Sequence, residues 1–183
     1  QAGIACADMI TTVSPTYARE IQEAEGGFGL DGLLRVRSDV VKGILNGCDL
    51  ETWNPKTDKL IPYNFDYKSM ANKAKCKAEL QKRMGLPVRP DVPLIGIVTR
   101  LADQKGVAEI FAPNYGSIFN MCENMDLQFA ILGSGERWCE DEINSLQSKL
   151  PNFRAYVGYD ESLSHLIEAG SDFFLMPSKY EPC

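Results

Sequence analysis

The chain has 183 residues, 44% of them apolar, enough for one full domain or parts of two around a sizeable core. Its 19 basic and 25 acidic residues leave a formal net charge of −6, which argues against bulk binding to nucleic acid or to anionic membrane, since both attract basic patches. No stretch approaches the roughly 18 consecutive apolar residues of a membrane span.

The residues after Gln1 lack the basic-then-apolar pattern of a signal peptide. The absence of an initiator methionine leads to the expectation that a preceding part belongs to the same protein. Six cysteines are scattered at positions 6, 48, 76, 122, 139 and 183, with no C-x-x-C pair and no histidine at zinc-ligand spacing. That pattern predicts free thiols in a reducing cytoplasm, and neither a disulfide framework nor a metal site.

The first element expected is a buried strand at residues 9–13, Met-Ile-Thr-Thr-Val, an apolar and β-branched run. Ser14 then reads as a helix N-cap with Pro15 at the first helical position, opening a short helix over residues 17–21. Residues 25–29 (Glu-Gly-Gly-Phe-Gly) read as a plain turn, because no Walker lysine accompanies the glycines. Residues 40–45 form a second strand. Polar and turn-forming residues dominate from 54 to 66, the best candidate for a domain boundary. We therefore divide the chain into residues 1–45, a linker at 46–66, and a second domain at 67–183. A helix is expected over residues 67–84, rich in Lys, Ala, Glu, Leu and Gln, with Gly85 as its stop.

The second half has a regular rhythm. Residues 93–99 (Pro-Leu-Ile-Gly-Ile-Val-Thr) are a continuous apolar run, as a strand covered on both faces requires. A helix starts at residues 106–111, is interrupted by Pro113, and resumes over 115–123. Further strands are expected at 127–132, 153–157 and 173–176, with helices at 136–150 and 162–169 between them. Ile143, Leu146 and Leu150 share one stripe of the first of these helices. Strands alternating with helices at this spacing predict βαβ units and an α/β fold with a parallel sheet.

Ligands of an open parallel sheet bind beyond the carboxyl ends of its strands. The loop after the first strand of the second half carries Arg100 and Lys105, a fork and a point charge suited to a diphosphate. The next loop carries Gly133, Ser134 and Gly135, where backbone amides can approach a ligand closely. The third carries Gly158 and Tyr159, the latter able to stack on a nucleobase. The fourth carries Glu181, whose carboxylate can accept from sugar hydroxyls or face positive charge on a sugar ring. Each also has a plainer reading as a solvated charge, a helix-start turn, a core-capping tyrosine or an exposed acid. His165, the only histidine, has no partner identifiable in the sequence and reads as structural.

Taken together these blocks resemble the bacterial-type glycogen and starch synthases. The resemblance rests on residues 12–18 (Thr-Val-Ser-Pro-Thr-Tyr-Ala), 43–47 (Gly-Ile-Leu-Asn-Gly) with Asp49, and Trp53-Asn54-Pro55. It continues through Arg100-Leu101 with Gln104-Lys105-Gly106, residues 132–135, Gly158-Tyr159, residues 167–172, and residues 177–183 (Pro-Ser-Lys-Tyr-Glu-Pro-Cys). These blocks cover essentially the whole chain in family order.

The resemblance implies the GT-B architecture, two Rossmann-like domains facing a cleft. The chain would then supply the tail of the N-terminal domain, the hinge near Asn46, and most of the donor-binding domain. It implies retaining, metal-independent transfer of glucose from ADP-glucose to the non-reducing end of an α-1,4-glucan, with no cofactor, in the cytoplasm or in a starch-making plastid. By motif, Arg100 and Lys105 would hold the donor diphosphate, Tyr159 would contact adenine, and residues 133–135 with Gly158 would line the nucleotide site. Glu181 would face the glucose with Cys183 close by, and Asn46 would reach the cleft. The family's Lys-x-Gly-Gly loop and cleft histidine do not occur in these 183 residues, and Lys179 and Tyr180 stand where Arg and Phe are commoner. The isolated chain is therefore expected to be inactive, its partner being the remainder of the enzyme. The alternatives are a non-catalytic nucleotide- or glucan-binding remnant and a GT-B enzyme with a UDP-sugar donor.

Overall fold

The structure, a computed structural model, describes residues 1–114 and 116–183. The chain divides into two compact units, Gln1–Cys48 together with Glu181–Cys183, and Asp49–Tyr180.

In the first unit, helix α1 (Ala2–Cys6) precedes strand β1 (Ile10–Val13), helix α2 (Pro15–Glu20), helix α3 (Asp31–Val36) and strand β2 (Val41–Ile44). Neither α1 nor α3 is marked by a cap or a long stripe, and the sequence reading has no helix at either place. The strands pair in parallel, from Ile10 opposite Val41 to Val13 opposite Ile44. The Ser14 hydroxyl accepts from the Thr16 and Tyr17 amides at 3.2 and 3.4 Å, the N-cap the Ser-Pro pair announces. Ala18, Leu34 and Val41 are buried, with Ile4, Ile10, Ile21 and Leu30 packed around them. The Arg37 guanidinium donates to the Ile4 and Ala7 carbonyls at 3.0 and 2.5 Å and also to that of Ala5, satisfying carbonyls at the end of α1.

In the second unit, helix α4 (Ala71–Met84) leads into strand β3 (Leu94–Val98), helices α5 (Val107–Phe111) and α6 (Ser117–Asn124), and strand β4 (Gln128–Gly133). Helix α7 (Arg137–Lys149), strand β5 (Phe153–Val157), helix α8 (Glu161–Gly170) and strand β6 (Phe173–Phe174) follow. The four strands form one parallel sheet in the order β5-β4-β3-β6. Alternation along the strands divides the core in two. Ile97, Phe129, Ile131 and Phe153 face a cluster with residues of α5, α6 and α7, including Ile143, Leu146 and Leu150. Leu94, Ala130 and Leu132 face the other way, onto Cys76 and Leu80 of α4 and Leu163, Leu166 and Ile167 of α8. Helices thus cover both faces, and every residue of β4 is buried, which is why its sequence is apolar but for Gln128, whose side chain accepts from Gln81 and donates to the Pro87 carbonyl.

Most boundaries shift by one or two residues, and three differences are informative. Helix α4 starts at Ala71 rather than at 67, because the Asp66 carboxylate accepts from the Lys68 and Ser69 amides and closes a turn there. Its C-terminal stop at Gly85, with φ of 71°, is as expected. The broken helix is two helices, α5 and α6; Tyr115, where resumption is expected, lies outside the described residues. Strand β6 pairs over Phe173 and Phe174 alone, opposite Ile95 and Gly96, so it is shorter than the apolar run that announces it.

All six cysteines are free. Burial pushes the Cys122 and Cys139 thiols up to about 12 and raises Cys76 as well. Thiolates are the reactive form, so at mildly alkaline pH iodoacetamide is expected to modify the exposed Cys6, Cys48 and Cys183 in the native chain. The other three should react only after unfolding, as peptide mass mapping would show.

Candidate functional site

The carboxyl ends of β3, β4 and β5 are tied together by their loops. The pairing of β3 with β4 runs past the strands: Thr99 N–H donates to Leu132 O at 3.0 Å, Leu101 N–H to Ser134 O at 2.9 Å, and Glu136 N–H to Leu101 O at 2.7 Å. Gly158 N–H donates to Gly133 O at 3.0 Å and brings the third loop alongside.

Above this platform lies an open pocket of about 430 Å³. Arg100, Gly133, Ser134, Gly158 and Tyr159 line it together, although 59 positions separate the first of them from the last. The sequence places each in a strand-end loop; the sheet order makes those loops neighbours. Arg100 and Tyr159 are exposed, Tyr159 to 83%, so both side chains are accessible to a ligand. One guanidinium nitrogen of Arg100 lies 3.5 Å from Gln104 Oε1.

The remaining expected residues lie elsewhere. Lys105 closes a 3₁₀ turn, Asp103–Lys105, with its N–H on Ala102 O at 2.8 Å, and it is half-buried. The helix that follows, α5, has five residues, too few peptide dipoles to sum to a strong positive end, so the cationic side chains outweigh the helix terminus at this loop. Gly135 does not line the pocket. Its amide donates to Glu140 Oε1 at 2.8 Å, and a Cβ there would lie 2.3 Å from Leu101 O. Gly133 is likewise pressed against Thr99 O, at 2.2 Å from where its Cβ would be. Both glycines therefore serve the close approach of two loops. Asn46, Glu181 and Cys183 belong to the first unit; Asn46 and Cys183 are exposed and Glu181 is half-buried.

Sequence reasoning misses one side of the pocket. Glu161, Ser164 and Glu168 of α8 line it, and so does Trp53. The three helical residues are spaced by three and four, one polar face of an otherwise buried helix, and that periodicity is the signal that could have found them. Asp160 caps the same helix, accepting from Leu163 N–H at 2.9 Å and from Arg83 at 2.8 Å, and these hydrogen bonds hold its carboxyl below the usual range. Burial raises the Glu168 carboxyl, Asp58 adds to the rise, and His165 opposes it. The sequence also hides the partner of His165. Its Nδ1 lies 2.7 Å from Asp58 Oδ2, and its ring stacks on Trp53 at 3.7 Å and 13°.

The loop after β6 is clasped onto the loop after β3. Lys179 N–H donates to Gln104 O at 2.9 Å, and Lys179 Nζ lies 2.5 Å from Asp103 and 3.3 Å from Glu109. Lysine at this position therefore fills an acidic notch. Among the described residues no group of three or more His, Cys, Asp or Glu could hold a metal ion, and no helix is long and apolar enough to cross a membrane.

A model of the starch synthase catalytic domain matches residues 1–36. A glycogen synthase of Treponema denticola is 55% identical over 183 residues, all of this chain and 37% of that protein. A soluble starch synthase 1 of Oryza sativa subsp. japonica is 47% identical over 98% of this chain. The solved catalytic domain of starch synthase IV from Arabidopsis thaliana, bound to ADP and acarbose, superimposes with a TM-score of 0.88 over 98% of this chain, at 39% identity. Over its whole length the chain is similar to glycogen and starch synthases. Its α/β fold is accordingly of the GT-B class, as expected. The chain spans 37% of the Treponema glycogen synthase, 28% of the rice starch synthase and 36% of the Arabidopsis catalytic domain.

Proposed function

We propose that this chain carries the nucleotide-sugar site of an enzyme that transfers glucose, with retention, from ADP-glucose to the non-reducing end of an α-1,4-glucan. One observation carries the reading: a cation, two glycine loops and an exposed tyrosine meet in a single pocket at the carboxyl ends of a parallel sheet. The Arabidopsis relative, bound to ADP and acarbose, supplies the ligand class.

In this account Tyr159 offers a flat face to the adenine and Arg100 a fork to the diphosphate, with Lys105 a second positive charge on the same loop. Glycosyl transfer passes through an oxocarbenium-like state, and the departing diphosphate gains negative charge as the bond to the sugar breaks. The cations stabilise that charge where it develops, with no divalent metal or other cofactor. Glu181, with Cys183 close by, faces the glucose, and Asn46 reaches the cleft from the hinge within residues 46–66. The remainder of the enzyme completes the glucan site, in the cytoplasm or in a starch-making plastid.

Calorimetric titration of ADP-glucose and UDP-glucose into the 183-residue chain tests this. Saturable binding with ADP-glucose favoured is expected. Equal or stronger binding of UDP-glucose would overturn the donor assignment, and no binding of either by a folded chain would remove the pocket as the donor site.

A further inference from the structure

Residues 49–66 contain neither helix nor strand, yet Trp53 within them forms part of the pocket wall. Local turns shape this segment. The Asp49 carboxylate accepts from the Glu51 and Thr52 amides at 3.1 and 3.0 Å, and Asn54 O accepts from the Thr57 and Asp58 amides at 2.9 and 2.8 Å. Turns of this kind set the local path of a chain but do not anchor it to a core.

Ile61 and Phe65 pack the end of the segment onto the core beside α4 and α8, and Asp58 is its polar anchor. It is 8% exposed, and its Oδ2 meets His165 Nδ1 on α8 at 2.7 Å, where the imidazole is fully buried. A carboxylate only accepts hydrogen bonds, so Nδ1 is the donor. The second carboxylate oxygen accepts from Leu60 N–H at 2.8 Å, which leaves the side chain little freedom to turn. Among the described residues the buried His165 Nε2 has no hydrogen-bond partner. A buried polar pair with an unsatisfied nitrogen is a poor source of stability beside an apolar filling of the same volume. Its evident product is geometric: it sets the imidazole against which Trp53 stacks at 3.7 Å. One indole face is covered by that ring, and Trp53 as a whole remains 45% exposed. Trp53 and Arg100 line the same pocket.

We propose that Asp58 and His165 are positioning residues that fix Trp53 as an aromatic wall of the nucleotide pocket. The inference rests on the nucleotide reading above. It assigns to Asp58 and His165 a role exercised through Trp53 alone, with no contact of their own to the ligand.

The test is ADP titration into the 183-residue chain, by calorimetry and by indole fluorescence. It uses a Trp138→Phe background in which Trp53 is the sole tryptophan. ADP is expected to change Trp53 emission. His165→Phe keeps a ring for stacking but loses the carboxylate, and should weaken ADP binding roughly tenfold, because a wall no longer held in place forfeits much of one aromatic–nucleobase contact. Asp58→Leu should do the same, while Asp58→Asn, which retains an acceptor for Nδ1, should stay within about threefold of the parent. Should either buried variant fail to fold by circular dichroism, Trp53→Leu decides, because it alters a half-exposed side chain. Unchanged ADP affinity in Trp53→Leu, or binding without any change in Trp53 emission, overturns the proposal while Arg100→Ala still weakens binding. Absence of binding in every form, or indifference to Arg100→Ala, overturns the nucleotide reading and this inference with it.

Discussion

An Arg100→Ala/Lys105→Ala double variant is expected to bind ADP on the order of a hundredfold more weakly than the parent chain. On the proposed reading each cation supplies a charge-assisted hydrogen bond to a phosphate, and such bonds are worth about 1.5–3 kcal/mol apiece. Arg100 is exposed and Lys105 half-buried, so the lower end of that range applies and the two losses multiply to about a hundredfold. Raising salt should weaken the parent's binding and leave the variant's residual binding nearly unchanged, because only the parent's affinity is electrostatic. In the assembled enzyme each single substitution should cost about 3 kcal/mol of transition-state stabilisation, since the diphosphate gains charge as it leaves. Arg100→Lys should recover only part of the loss, a point charge being no substitute for a planar fork. Calorimetry at two ionic strengths checks the first claims and steady-state kinetics the others. An unchanged Kd in the double variant would show that the pocket's cation loop does not hold phosphate.

Gly106→Ala is expected to destabilise the second unit by about 3 kcal/mol, more than an ordinary glycine substitution. Gly106 has φ of 69°, a left-handed conformation that costs an L-residue on the order of 1 kcal/mol by itself. An added Cβ would also lie 2.1 Å from the Pro177 carbonyl oxygen. That neighbour is backbone, held in place by the Lys179–Gln104 hydrogen bond and by the Lys179 ion pairs with Asp103 and Glu109, so it yields only if the clasp opens. Urea unfolding should show a lower midpoint at an unchanged slope. Because Lys105 is the adjacent residue, ADP binding should fall as well, under conditions where the variant is still folded. A midpoint within experimental error of the parent would mean that the two loops separate freely.

The parallel sheet was legible in the sequence because a strand buried on both faces is apolar along its length, as residues 129–132 are. The same logic marked which loops end at the ligand side, since the carboxyl end of a strand follows from chain direction alone. Boundaries were less legible where a side chain competes with the helix. Asp66 diverts residues 67–70 into a turn, and composition cannot register that competition. The run at 173–176 is apolar like a strand, but its pairing with β3 covers Phe173 and Phe174 alone.

Chemistry was legible where residue types are specialised and obscure where they act in pairs. Arg100 and Tyr159 announce themselves by charge and by ring. Asp58 and His165 lie 107 positions apart in the sequence, and neither carries a mark of the other, so a histidine that reads as merely structural proves to hold a buried carboxylate and a tryptophan. Gly133 and Gly135 suggest a close approach of backbone amides to a ligand when read alone; in the fold both make room for the backbone of the loop after β3, and Gly133 also lines the pocket. By itself the sequence determined the α/β class, the resemblance to glycogen and starch synthases and which loops lie at the strand ends, because these follow from local pattern and residue type. Tertiary structure alone decided which loops share a pocket and that α8 and Trp53 complete its wall. Those contacts arise from the order in which strands pair and the faces on which helices pack, which are properties of the assembled sheet rather than of any segment.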